Sequence, residues 1–297
     1  MRTPLWPPVN SALGFVAPAL LLIALFFVLP VAAGLVLSFT DFDIYALGDL
    51  DRLRWIGFDN YRRLWNDPLV DRALGNTLYF TLVGGPLSVL CSLGAALLLT
   101  RPGLPGVAVW RTALFLPVVT SLVAVAMVWR YLYHPLYGAL NHLMAWAGFE
   151  PIDWLGDART AMPAILILAV WKNFGFNMVI FIAGLQGIPA RLYEAAALDG
   201  AGRWAQFRHV TLPMLAPTIA FVAIVTLIGH LQVFAEPYVM TQGGPADATL
   251  TVALLMYREG FRWWNLGYAS ALALMLFALI LIGTGLQAWL RRRGARA

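Results

Sequence analysis

The sequence predicts an all-α integral membrane protein with six transmembrane helices, and three observations carry that prediction. Of 297 residues, 61% are hydrophobic and only 12% charged, where a soluble domain carries roughly a quarter charged residues and needs far more polar surface to cover its core. Six apolar stretches reach the roughly 20 residues that a helix needs to cross a bilayer. The charges sit at the ends of those stretches, so the nucleic-acid reading that a net charge of +5 invites has no polar domain to rest on.

The first stretch, Gly14 to Phe39, follows a short basic start, Met1-Arg2. It is longer than the core of a cleavable signal peptide, about 7–15 residues, and reads as an uncleaved first span. The second, Thr77 to Thr100, contains the lone cysteine, Cys91, so no intrachain disulfide is possible. The third runs from Val107 to Trp129, the fourth from Ala161 to Leu185, the fifth from Met214 to Ala235 and the sixth from Gly267 to Leu290. Pro, Gly and a few polar residues interrupt them, which membrane helices tolerate where neighbours re-satisfy the backbone. Three long segments lie between spans: Thr40 to Asn76, Arg130 to Thr160 and Glu236 to Leu266. They mix Trp, Tyr, Pro and charge, as short interfacial helices and turns do, and Trp55, Trp65, Trp263 and Trp264 read as belt anchors. No internal repeat or low-complexity tract divides residues 1–297, which read as a single transmembrane domain.

Arginine placement sets the orientation. With the N-terminus inside, the cytoplasmic segments carry Arg2, Arg101, Arg111, Arg191, Arg203, Arg208, Arg291, Arg292, Arg293 and Arg296, opposed by Glu194 and Asp199 alone. The other side holds the nine remaining arginines against 13 carboxylates. Both termini are therefore expected in the cytoplasm.

Most cytoplasmic loops are short; the exception is Gly187 to Pro213, GIPARLYEAAALDGAGRWAQFRHVTLP. Pro189 suits a first helical turn, and Arg191 to Leu198 is built of strong helix formers, with Leu192, Ala195, Ala196 and Leu198 as its apolar positions. Asp199-Gly200 is a turn pair, and Gly200 can take the positive φ that ends a helix. A second short helix is expected over Ala201 to Val210 with Trp204 and Phe207 on one side, closed by Pro213. Physics alone leaves two readings open: a rigid knob for a partner, or a helix pair lying on the lipid headgroups.

The string Glu194-Ala195-Ala196, Asp199-Gly200-Ala201 and Leu212-Pro213 resembles the EAA motif of ABC importer permeases. More narrowly, the chain resembles the carbohydrate-importer permeases of the maltose-transporter MalF and glycerol-phosphate-transporter UgpA kind. The likeness covers nearly the whole chain through ordered landmarks: Gly57 to Tyr61, Asn76-Thr77, Leu116-Pro117, Trp171, Leu185 to Pro189, Tyr238 to Pro245 and Gly267 to Ala271. The resemblance implies a type I ABC importer permease fold in a bacterial inner membrane. It also implies a second homologous permease subunit, two ATPase subunits that hold ATP and Mg, and an extracytoplasmic solute-binding protein. Glu194, Ala195, Ala196, Asp199 and Gly200 would then form the coupling helix, Glu194 offering charge to the ATPase and Gly200 the bend. Extra N-terminal spans and a large periplasmic insertion, found in the maltose case, are lacking.

Ionisable groups inside spans are costly and usually face a pathway or partner. Lys172, Asn173, Phe176 and Asn177 share one helical face of the fourth span, and His230 and Gln232 lie deep in the fifth, with Glu236 at its outer end. Amides, imidazole and aromatic rings suit a hydroxyl-rich solute. Lys172 has a second reading, as a packing partner for a carboxylate or carbonyls of a neighbouring subunit. Alignment to the maltose permease implies sugar contacts at Lys172, Asn173, Phe176, His230 and Val233, with Ala169 replacing a further contact. Since His230 and Val233 replace amides, maltose itself does not follow. Thr120 and Ser121 of the third span are weaker candidates, because their hydroxyls commonly bond the helix backbone.

The chain lacks catalytic machinery. A P-loop needs Gly-x-x-x-x-Gly-Lys-[Ser/Thr], and the only lysine, Lys172, precedes Asn173 within a span. The four histidines are scattered, without metal-ligand spacing, and no Gly-x-Ser-x-Gly elbow occurs. A stand-alone secondary transporter is the alternative function, but that class usually shows inverted repeats and broken ion-coordinating helices, and no such symmetry is visible. A membrane enzyme or scaffold is the third class weighed.

Overall fold

The computed structural model describes residues 9–47, 53–101 and 103–294. Met1-Arg2 and Arg296, which entered the charge argument, lie outside them. Among the described residues the regular structure is helical, with an isolated bridge between Thr40 and Trp55. Five helices are long and apolar enough to span a bilayer, and a sixth span requires counting a bent pair as one. The residues fall into two compact units, Met1–Asp67 with Met256–Met275, and Pro68–Leu255 with Leu276–Ala297.

In the first of these units, Leu13–Leu37 forms the first span with its large apolar side chains exposed, suited to lipid or another chain. Beyond it, the stretch Gly57 to Tyr61 acts as a staple. The Asn60 amide, buried, donates to the carbonyls of Ser38 and Thr40 at 2.9 Å each. Tyr61 Oη lies 2.7 Å from Ser38 Oγ, and Phe39 packs against Trp55, Phe58 and Tyr61. The landmark around Gly267 is tied in similarly: its N–H donates to Phe42 O, and the Tyr268 hydroxyl donates to Asp67 under the Arg63 guanidinium.

In the second unit, the second and fourth spans make the main packing, joined by the fifth. Lipid is as apolar as leucine, so such packing depends on close contact and hydrogen bonds. Gly175 shows the principle: a Cβ there would run into Leu114 O and lie 3.2 Å from Phe115 Cα, so the third and fourth spans meet backbone to backbone.

Three expectations need correction. The second span begins early, at Pro68, and runs unbroken to Leu99, because Pro68 preorganises a first turn and Asn76 spends its amide on Asp247 O and Leu250 O. The third span is not one straight helix. Val107–Val119 and Leu122–Leu132 are bent by 100° at Thr120-Ser121, whose backbones are extended; Thr120 Oγ1 donates to Pro117 O at 2.6 Å. The expected separate helix over Ala201 to Val210 is instead the start of the fifth span, continuous from Arg203 to Leu231.

That continuity has a local cause. Proline removes a backbone donor and crowds the carbonyl four residues back. Here a π-helical turn ends two residues before the proline, at Phe207–Thr211 before Pro213. The same device occurs at Ala24–Val28 before Pro30 and at Phe80–Gly84 before Pro86. Widening the helix by one residue absorbs the missing bond without breaking the span.

Candidate functional site

The cavity follows from where the core stops. One buried apolar cluster contains Phe80, Ile165, Leu166, Leu168, Ala169 and Val233. Another contains Ala96, Leu99, Met178, Phe181, Ile182, Leu215 and Val222. Between these levels lies a cavity of 360 Å³. The fourth span contributes Ala169, Asn173, Phe176 and Asn177; the fifth contributes Val225, Thr226, Gly229 and His230, followed by Val233 and Glu236. Phe80 and Ser88 enter from the second span, and Val118 from the third.

Two polar atoms of this lining are buried without a hydrogen-bond partner, Ser88 Oγ and His230 Nε2. His230 is held in place: its Nδ1 lies 2.9 Å from Thr226 O, and its ring packs on Phe80 at 5.2 Å. A nitrogen that close to a carbonyl carries the proton, which in the neutral ring leaves Nε2 as an acceptor. Asn177 is already committed, donating to Thr226 Oγ1 at 3.0 Å and cross-linking two spans. Leaving buried donors or acceptors unmade costs about 1–3 kcal/mol each, so Ser88 and His230 are built to meet a ligand or water.

The structure thus brings Asn173, Phe176, Asn177, His230 and Val233 to one cavity and leaves Lys172 out of it. Lys172 is 8% exposed; its Nζ donates to Pro117 O at 3.2 Å and Val118 O at 3.4 Å. These carbonyl partners belong to this chain. The break at Thr120-Ser121 ends a helix and frees terminal carbonyls, and a cation at a helix C-terminus satisfies them and the helix dipole. Thr120 bonds its own backbone and Val118 lines the cavity in its stead. Ser88 and Thr226 escaped selection from the sequence, and Glu236 was noted at the outer end of the fifth span without being assigned to the site. The signal for Thr226 was its place one turn before His230; a single serine in an apolar run, like Ser88, gives little.

The loop from Gly187 to Pro213 is compact and capped. Ala190–Leu198 ends on Gly200 at φ +81°, with Ala201 N–H donating to Ala196 O at 2.8 Å and Gly200 N–H to Ala197 O at 3.0 Å. This paired bonding is the Schellman termination, which favours glycine because a Cβ strains the left-handed backbone. Tyr193 Oη and Thr211 Oγ1, 3.0 Å apart, hold the short helix to the root of the fifth span. Glu194, Ala195, Asp199 and Gly200 are exposed and Ala196 is half-buried. Leu198 does not join a packed face; it is 89% exposed, and Trp204 is 71% exposed.

Two further landmarks hold turns. Thr77 Oγ1 accepts from Val252 N–H at 3.0 Å, and Thr249 Oγ1 donates to Gly244 O at 2.8 Å within the turn that follows Tyr238 to Pro245.

Comparison with known proteins agrees with this architecture. A family model described as the binding-protein-dependent transport system inner membrane component matches residues 87–296. The lactose transport system permease protein LacF of Rhizobium radiobacter is 38% identical over 94% of this chain and 93% of its own length. The sulfoquinovosyl glycerol transport system permease protein SmoG of Agrobacterium fabrum is 37% identical, covering 89% and 84%. A chain from the crystal structure of a bacterial ABC transporter involved in the import of the acidic polysaccharide alginate shares the fold, with a TM-score of 0.79 at 24% identity over 95% of each chain.

Proposed function

The chain belongs to the binding-protein-dependent transport system inner membrane components and is the non-catalytic permease subunit of a carbohydrate ABC importer, and we propose that the cavity of its second, fourth and fifth spans is the solute site. It is a multi-pass inner membrane protein that works with a binding protein, while nucleotide binds a separate ATPase. Residues 1–297 act in this reading as one permease domain with both termini in the cytoplasm. A second, homologous permease completes the pathway, and two ATPase subunits drive it.

The observation that carries the solute-site reading is the pair of unpartnered buried atoms, Ser88 Oγ and His230 Nε2, in a cavity that also presents Asn173 and Phe176. A sugar hydroxyl donates and accepts together, so it satisfies an imidazole acceptor and a serine or amide in turn, while aromatic rings cover its apolar face. The second part of the reading gives Glu194, Ala195, Ala196, Asp199 and Gly200 to the ATPase. Its support is the exposure of all of these but the half-buried Ala196, beside Leu198 and Trp204 on a loop rooted in the fifth span, which lines the cavity further along.

The test is uptake of labelled sugar by the complete importer in proteoliposomes, with ATP turnover read in parallel. Asn173→Ala and His230→Ala should each lower uptake about tenfold, the worth of a hydrogen bond or two, and raise ATP spent per sugar. Unchanged uptake and turnover in both variants would remove the site assignment.

A further inference from the structure

We infer that the cavity accepts uncharged saccharides and turns away anionic ones, and that Glu236 sets this preference; the inference rests on the cavity being the solute site. Among the described residues, the lining holds two titratable side chains, His230 and Glu236, and no arginine or lysine. The chain's only lysine spends its ammonium on the carbonyls of Pro117 and Val118. Held there, it brings no free ammonium to the lining and leaves no positive charge there for a solute. His230 adds none either. Its neutral ring offers a lone pair at Nε2, and a proton taken up there only offsets an ionised Glu236.

A phosphate or carboxylate entering this space sheds water and meets a hydroxyl, amides and a carboxylate, but no counter-charge. Burying an unpaired charge is among the most costly steps a protein site can impose. Hydroxyls face no such barrier: they donate to Glu236 and His230 Nε2 and accept from Ser88 or Asn173. Arg72 and Arg159 line a different hollow, of 530 Å³, with Asn76 and Tyr79, and are not part of this lining.

The test reads the charge without knowing the solute. In the complete importer carrying Cys91→Ser, a thiol is placed on the lining by Val225→Cys or, separately, Ser88→Cys. Each is modified with cationic trimethylammonioethyl methanethiosulfonate and with anionic sulfonatoethyl methanethiosulfonate, and rates are normalised to those of free cysteine. The cationic reagent should be favoured about tenfold, and adding Glu236→Gln should shift the ratio about tenfold toward the anion, as expected of one nearby charge in a partly desolvated site. A ratio at or below one, or no shift with Glu236→Gln, overturns the inference. So do thiols at both positions that resist both reagents, since the lining is then closed to solutes. Failure of the solute site shows differently: Asn173→Ala and His230→Ala leave sugar uptake intact, whatever the reagent rates.

Discussion

Single residues carry two roles that the sequence states unequally. A lysine inside a span costs about 2.5–3.5 kcal/mol at insertion, so Lys172 announced itself, yet its partners did not. They lie 55 and 54 residues away and become available only because the third span breaks. Lys172→Met should therefore lower the thermal stability of the purified protein by about 1–3 kcal/mol, the cost of carbonyls left unmade, and an unaltered melting temperature would contradict the capping role. Asn173 and His230 were legible because amide and imidazole groups are rare in spans; Ser88 was not, because serine hydroxyls in helices commonly bond their own backbone. Outside the cavity, Glu259 is 1% exposed, receives the Asn265 amide at 2.8 Å and faces Arg63 Nη2 at 3.4 Å. Arg63 is half-exposed, so solvent weakens that pair. Glu259→Ala should cost about 1–3 kcal/mol, mainly through the unmade bonds, seen as earlier unfolding in detergent; Arg63→Ala should cost less, and the reverse order would refute this weighting.

Elements are where the sequence misleads most. Hydropathy finds apolar length but not direction, so Val107 to Trp129 looked like one span although it bends by 100°. Proline misleads the other way: Pro213 looked like a stop, but the π turn before it carries the helix through. Gly200 was read correctly because a positive φ after a run of helix formers is local chemistry, independent of distant contacts. Gly200→Val should strain this turn by about 1–2 kcal/mol and reduce ATP-driven uptake while membrane insertion stays normal. Leu198 and Trp204 make a sharper test of the loop's surface, because exposed side chains contribute little to the stability of this chain itself. Leu198→Ala with Trp204→Ala should leave melting unchanged and reduce recovery of the ATPase in co-purification; equal recovery would mean this surface faces lipid or water.

At the scale of the whole molecule, the landmarks that signalled the family prove to be fasteners. Asn60 and Tyr61 pin one turn, Thr77 and Thr249 another, and Gly267 a third. That explains how resemblance could reveal the architecture without revealing the solute, since such residues hold turns and do not line the cavity. The proposed function joins a cavity on the fourth and fifth spans to an exposed knob at the root of the fifth, so that work done on the knob moves a cavity wall. Its central claim is that transport through this chain is driven from outside it, through Glu194 to Gly200. The most direct measurement is sugar uptake into proteoliposomes holding the complete importer, for the wild type and Glu194→Lys, with and without ATP. The account predicts ATP-dependent uptake in the wild type and its loss in Glu194→Lys, although the variant chain inserts normally. Uptake that persists without any ATPase subunit, or that survives Glu194→Lys unchanged, would contradict it.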